Sequence, residues 1–338
     1  MNFAAGRKFQ SIQLLRAIAA LMVVVFHSKS VFEPEIRTNL WWWPGISDQG
    51  ALGVSLFFVI SGFIIAMTLD KKDVDFGVFA WRRFLRIYPL YWIVMLAALG
   101  TYLWDRWFHV DLEAIGLSGM IVSFLILPQK PFPFWSPGWS LEHELLFYLI
   151  AGLVAPKLGL CTLCAVMMVL GGVGFWVSFW DFHLFSDAQI YFGAGVGAYL
   201  YRNAGFRLAA IMATALLAIA YAHLYGFLDF PYQFRSLAFA FGYAALIVAF
   251  VGLERRGWKV PNAGVLIGSA SYSLYLWHWL MIPVIGRVFW SVGGPVELWR
   301  WIFVFASIVV ALLSYALIEK PISSLAHRQW RQPNPATG

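Results

Sequence analysis

Charge is what this sequence is short of. Asp, Glu, Lys and Arg make up 12% of its 338 residues, about half the share of a soluble domain. The polar stretches between its apolar runs are too short to fold as soluble domains. Cysteine is nearly absent: Cys161 and Cys164 are the only two. They form a C-x-x-C inside an apolar run, and two thiols alone cannot complete a structural zinc site. Both are read as core residues. Internal repeats, low-complexity tracts, His-x-x-x-His pairs and carboxylate clusters are missing, so no metal is expected. Nor is a cleavable leader, because the first apolar stretch is too long, lacks a small-residue cleavage site and is followed by further runs. The glycines of GAGVGAY (Gly193, Gly195, Gly197) follow no strand, which argues against a nucleotide loop and for close helix packing.

Apolar residues are abundant: the chain is 61% hydrophobic, with 18 Trp and 30 Phe. That composition predicts an all-α, polytopic integral membrane protein, residues 1–338 forming a single transmembrane domain. Runs able to span a bilayer fall near 12–31, 50–69, 87–104, 138–155, 158–178, 188–201, 207–226, 234–253, 262–284 and 298–318. The run at 114–127 is short and prolines follow it, so it is expected to be a re-entrant or interfacial helix. Positive charge tests this. If 114–127 does not cross, the 24 Lys and Arg divide 17 to 7 in favour of the side holding the N-terminus; if it crosses, they divide evenly. The positive-inside rule favours ten spans with both termini cytoplasmic. The net charge of +7 is thereby read as membrane topology, with no nucleic-acid partner implied.

Ionisable groups inside such spans are costly and mark functional sites by default. The first span carries Arg16 and His27, eleven residues apart. That spacing puts both on one helix face, separated by about 16 Å along the axis. The fourth span opens with SPGWSLEHELLFYL, where Ser136 can cap and Pro137 can start the helix. Glu142 and Glu144 then reach a depth similar to that of His27. A carboxylate beside an imidazole would fix its tautomer and suit it to act as a general base; a structural polar network is the competing reading. Arg82, Arg83 and Arg86 crowd the cytoplasmic mouth of the third span. They are either ordinary positive-inside charge or a phosphate-type site, and Arg16 favours the second by carrying positive charge inward. An anionic ligand entering from the cytoplasm, its reactive end aimed at His27, is the expectation. In the ninth span, Ser269, Ser271, Tyr272, Ser273, Tyr275 and His278 either pack by interhelical hydrogen bonds or line a cavity. Trp41, Trp42, Trp43 and Trp135 are an interfacial aromatic belt or a platform for a sugar ring. His109, His183 and His223 are expected in solvated external loops.

Several of these patterns recur together: R-x10-H at Arg16 and His27, R-x-x-R at Arg83 and Arg86 before a Tyr-Pro, and S-L-x-x-E-x-x-F-Y at 140–148. GVSLFFVISGF at 53–63 and YSLYLWH at 272–278 complete the set. In order and spacing they resemble the bacterial acyltransferase-3 family of integral membrane acyltransferases, which modify exopolysaccharide, O-antigen and other extracytoplasmic glycans. The resemblance implies an O-acyltransferase, most simply an O-acetyltransferase, of the inner membrane. It implies cytoplasmic acetyl-CoA or another acyl-CoA as co-substrate and a glycan or lipid-linked saccharide as acceptor. Carried over, His27 matches the catalytic histidine, Arg16 its partner, Arg83 and Arg86 the R-x-x-R pair and Glu144 the motif glutamate. Glu142 is a second candidate to orient His27, and Arg82 joins the donor-binding set. Trp135, Trp139, Tyr275 and His278 are candidates for the acceptor side. Some members append an extracytoplasmic esterase-like domain; the chain resembles the stand-alone type. A glycan transporter or flippase would also use polar residues across the bilayer, although the inverted repeats usual in transporters are not seen. A membrane scaffold without chemistry is the third reading.

Overall fold

The computed structural model describes residues 9–32, 48–71, 74–105, 112–130, 132–177 and 183–328. Trp41, Trp42, Trp43 and His109 lie outside them. Among the described residues the chain is helical throughout, without a strand. The helices are α1 (Gln10–His27, continued by a 3-10 turn over Ser28–Val31), α2 (Leu52–Leu69), α3 (Phe76–Asp105), α4 (Leu112–Phe124), α5 (Gly138–Gly174) and α6 (Ala188–Leu200). They continue with α7 (Phe206–Leu224), α8 (Tyr232–Arg255), α9 (Asn262–Ser269), α10 (Ser271–Val292), α11 (Val296–Ser314) and α12 (Lys320–Arg328). A π-helical turn, Tyr315–Glu319, joins α11 to α12.

Seven of these helices are long and apolar enough to cross a membrane, and the pair α9 and α10, bent by 68°, makes an eighth. The ten expected runs are not all separate spans by this measure, for two physical reasons. The runs at 138–155 and 158–178 form the single 37-residue stretch α5, broken only where Gly159 takes φ +83°. The run at 188–201 is a helix of only 13 residues.

Local chemistry sets several boundaries. The carboxylate of Asp75 accepts a hydrogen bond from the Val78 N–H at 2.8 Å, capping the start of α3. Glu254, at the end of α8, accepts from the free N–H groups of Gln10 and Ser11 at 3.0 and 2.8 Å, so one helix end caps another. At the start of α5 the cap is Pro137, without a side-chain bond; Ser136 does not supply the expected cap.

Helix direction bears on the short run near 114–127. Tyr199, late in α6, donates to Asp70 just past α2 at 2.6 Å, and Arg202 reaches the same carboxylate at 3.7 Å. Phe58 meets Phe192, and Phe63 meets Tyr199, so α2 and α6 run the same way. That shared direction is the one expected when the two halves of α5, on either side of Gly159, each cross and α4 does not. Its tail ends inside the bundle: the carbonyls of Ser123, Phe124 and Leu125 accept from Tyr91, Trp92 and Tyr88 of α3 at 2.9, 2.9 and 2.8 Å. The chain then returns past the buried Trp135, and α5 begins beside Tyr91. This is the geometry of a re-entrant segment. Where α2 crosses α6, a Cβ on Gly62 would stand 2.1 Å from the Phe192 carbonyl oxygen and one on Gly195 2.0 Å from that of Val59. The GAGVGAY glycines serve close packing, as their sequence context suggested.

Candidate active site

Helices α1, α2, α3, α5 and α10 enclose a cleft of about 840 Å³, counting its open mouth. Arg16, Arg83 and Arg86 line it, together with Ser61, Ser140, Glu144, Tyr148, Tyr272 and Tyr275. The arginines come from two helices, and each is held differently. Arg86 is paired with Glu319, a buried carboxylate in the π-helical turn, and its guanidinium lies 5.1 Å from the Tyr272 ring centre. The other oxygen of Glu319 accepts from the Ser273 hydroxyl at 2.7 Å. Arg83 lies against the rings of Phe79 and Tyr148, 5.6 Å from each centre, and its buried Nε has no hydrogen-bond partner. Glu144 accepts from Ser61 at 2.8 Å and from Tyr148. Three guanidiniums therefore face two carboxylates, one of them behind the wall, and the surplus is positive. Such a cleft favours an anion that can take several N–H donors at once.

His27 ends α1, partly exposed, and does not line the cleft. Its Nδ1 lies 3.1 Å from the Val23 carbonyl oxygen. A carbonyl can only accept, so Nδ1 carries the hydrogen and Nε2 of the neutral ring offers its lone pair. The ring packs 5.2 Å from that of His278 and 5.0 Å from that of Trp279. Tyr275 links this group to the cleft: its ring is 5.8 Å from His278, and its hydroxyl meets the Ser140 hydroxyl at 2.8 Å. From Arg16 the order is cleft, Tyr275, His278, His27.

The carboxylates expected beside His27 lie elsewhere. Glu144 faces the cleft, one layer away. Glu142, 1% exposed, accepts from His183 Nε2 at 2.6 Å and from Gln129 at 3.4 Å. His183 is thus not a solvated loop residue; its ring also stacks on His143 at 4.1 Å. His223 likewise bonds the Phe230 carbonyl at 2.6 Å. Trp135 is fully buried, and Trp139 packs on Phe58 and His143. Neither presents a free ring face to the cleft, and Arg82 is also outside its lining. Cys161 is exposed and Cys164 is half-buried, its thiol near the Gly193 carbonyl. No cluster of three or more His, Cys, Asp or Glu that could hold a metal occurs among the described residues.

Sequence reasoning missed Glu319, Ser61 and Trp279. A carboxylate closing the last apolar run and a lone Ser inside one were legible as anomalies. Their pairing with residues far along the chain was not, because register between distant helices has no local signature.

Fold and cleft together define an integral membrane protein built around an internal, positively charged cleft with a histidine pair beyond it. The family model of the acyltransferase domain of the acyltransferase-3 type matches residues 9–319. The chain belongs to that family. It is 27% identical over 291 residues to the "Exopolysaccharide production protein ExoZ" of Rhizobium meliloti, covering 81% of this chain and 89% of that one. It is 26% identical over 294 residues to the "Putative acetyltransferase ORF330" of Acidianus two-tailed virus, covering 81% and 83%. A "Putative O-acetyltransferase" of Staphylococcus aureus is 25% identical over 370 residues, covering 91% of this chain and 56% of the relative. No solved structure matches the chain.

Proposed function

We propose that the protein is an O-acyltransferase of the cytoplasmic membrane that moves an acetyl group from acetyl-CoA to a hydroxyl of an exported glycan. One observation carries the reading: Arg16, Arg83 and Arg86 converge in a single interior cleft of an acyltransferase-family chain. Phosphate is the anion best matched to clustered guanidiniums. The phosphates of the donor bind at the arginines, and the acyl-bearing arm runs inward past Glu144 and Tyr148 toward Tyr275. Positive-inside charge favours the arginine end and both termini on the cytoplasmic side, where acyl-CoA is made. His27 Nε2 takes the proton of the acceptor hydroxyl as its oxygen attacks the thioester carbon. The carbon–sulfur bond breaks, and the proton passes on to the departing thiolate. The apolar walls exclude water, which would otherwise hydrolyse the thioester. The glycan acceptor is suggested by the exopolysaccharide relative.

The test is NMR of the surface polysaccharides of a producing strain with the gene deleted, then complemented by wild type or His27→Ala. O-acetyl signals should vanish on deletion, return with wild type and stay absent with His27→Ala at equal protein abundance. Unchanged signals in every glycan fraction would defeat the acceptor class.

A further inference from the structure

His278 is the most constrained polar group that the proposed chemistry leaves unused. Its side chain is 1% exposed. Its Nδ1 faces the Leu274 carbonyl oxygen at 3.2 Å, so, as in His27, Nδ1 carries the hydrogen and Nε2 is left as an acceptor. That Nε2 is buried without a hydrogen-bond partner. A buried acceptor left unsatisfied is costly, and an apolar ring of the same shape would avoid the cost. The neighbour is equally specific. The indole of Trp279 stands nearly perpendicular to both imidazoles, 5.0 Å from His27 and 6.3 Å from His278, and is only partly buried. Two helices thus deliver two imidazoles in the same tautomer, 5.2 Å apart and tilted by 39°, against one aromatic side chain. Aromatic rings combine a large apolar face with low conformational cost, and two imidazole lone pairs on adjacent rings suit hydroxyl donors. An anionic ligand would be repelled by both.

We infer that His278 and Trp279 form the acceptor subsite beside His27, for a sugar ring that offers two hydroxyls on neighbouring carbons. The hydroxyl to be acylated donates to Nε2 of His27, its neighbour donates to Nε2 of His278, and the C–H face of the ring lies on Trp279. This moves the aromatic platform from Trp135 and Trp139 to Trp279. The inference rests on the acyltransferase reading above and adds to it the residues that select the acceptor.

The experiment uses the full chain solubilised in detergent, radiolabelled acetyl-CoA, and surface polysaccharide of the producing strain freed of its O-acyl groups by alkali. KM is measured for each substrate at matched protein abundance. His278→Phe keeps the ring's bulk but removes the acceptor, and Trp279→Ala removes the platform. Each should raise the polysaccharide KM about tenfold, the equivalent of one hydrogen bond or about 1.4 kcal/mol, and leave the acetyl-CoA KM unchanged. His278→Gln, whose side-chain carbonyl can accept in place of Nε2, should recover most of the loss. The inference is overturned if His278→Phe matches wild type, if Gln is no better than Phe, or if the acetyl-CoA KM rises in parallel. No transfer by the wild-type chain would remove the reading beneath the subsite, and the subsite with it; that outcome is separable because it precedes any variant.

Discussion

At the residue scale the cleft depends on how three like charges are kept together. Arg86 is offset by Glu319, so its guanidinium is fixed and partly neutralised before any ligand arrives. Arg83 has only ring faces around it. The two should respond differently to substitution. Arg83→Ala removes a ligand contact but breaks no ion pair, and is expected to raise the acetyl-CoA KM tenfold or more, as for a hydrogen bond to a charged group worth about 1.5–3 kcal/mol. Folded abundance should be unchanged, which a quantitative blot beside the kinetics would check. Glu319→Gln leaves Arg86 half-paired in a largely buried setting, a change worth about 3 kcal/mol. It should lower thermal stability in detergent. Adding Arg86→Gln should recover part of that loss, since the two residues share one interaction. Arg16, His27, Arg83, Arg86 and Glu144 were legible because a charge inside an apolar run is conspicuous. Their partners were not. Glu142 and Glu144 are two residues apart and were both candidates to orient His27, yet helix rotation sends one to His183 and the other to Ser61.

At the scale of elements, glycine sets how closely the helices approach. At the α2–α6 crossing the backbones touch through Gly62 and Gly195, and α2 carries Ser61, the partner of Glu144. A methyl group on Gly195 would meet the Val59 carbonyl oxygen at 2.0 Å, and so must push the helices apart. Gly195→Ala is expected to cost about 1–3 kcal/mol, read as a lower unfolding temperature, with activity falling as the cleft wall shifts. Gly159 differs: nothing would contact a Cβ there, but its φ of +83° is a conformation that L side chains avoid. Gly159→Ala should cost about 1 kcal/mol through the backbone alone. Its lesion should therefore be unaffected by trimming neighbouring side chains, and so should that of Gly195→Ala, whose clash is with backbone. Element existence was readable from apolar runs and Pro/Gly punctuation. The break at Gly159 falls beside the gap between the runs 138–155 and 158–178, but the 68° bend between α9 and α10 lies inside the single expected run 262–284, because it depends on which backbone conformations the packed neighbours allow.

At the scale of the whole molecule, topology decides which substrate meets which residues. The shared direction of α2 and α6 and the returning path of the segment before α5 agree with the charge distribution that keeps 114–127 from crossing. With Cys161 and Cys164 replaced by Ser, single cysteines introduced as Asn203→Cys and Lys259→Cys should react with an impermeant maleimide only from the cytoplasmic side. Lys130→Cys and Ser291→Cys should react only from the opposite side. The opposite pattern would reverse the arrangement, and labelling of all four from one side would contradict it. Arg16, which lines the cleft, and His27, which ends α1, are eleven residues apart on that helix, so the proposed transfer requires a reactant to reach between them through the protein. The full chain solubilised in detergent, with both faces reachable by radiolabelled acetyl-CoA and de-O-acylated polysaccharide, puts that requirement to a direct measurement, the initial rate of label transfer by wild type and by His27→Ala. Wild type should transfer label, and His27→Ala at equal abundance should be slower by about a thousandfold, as for loss of a general base. A His27→Ala rate equal to that of wild type would contradict it.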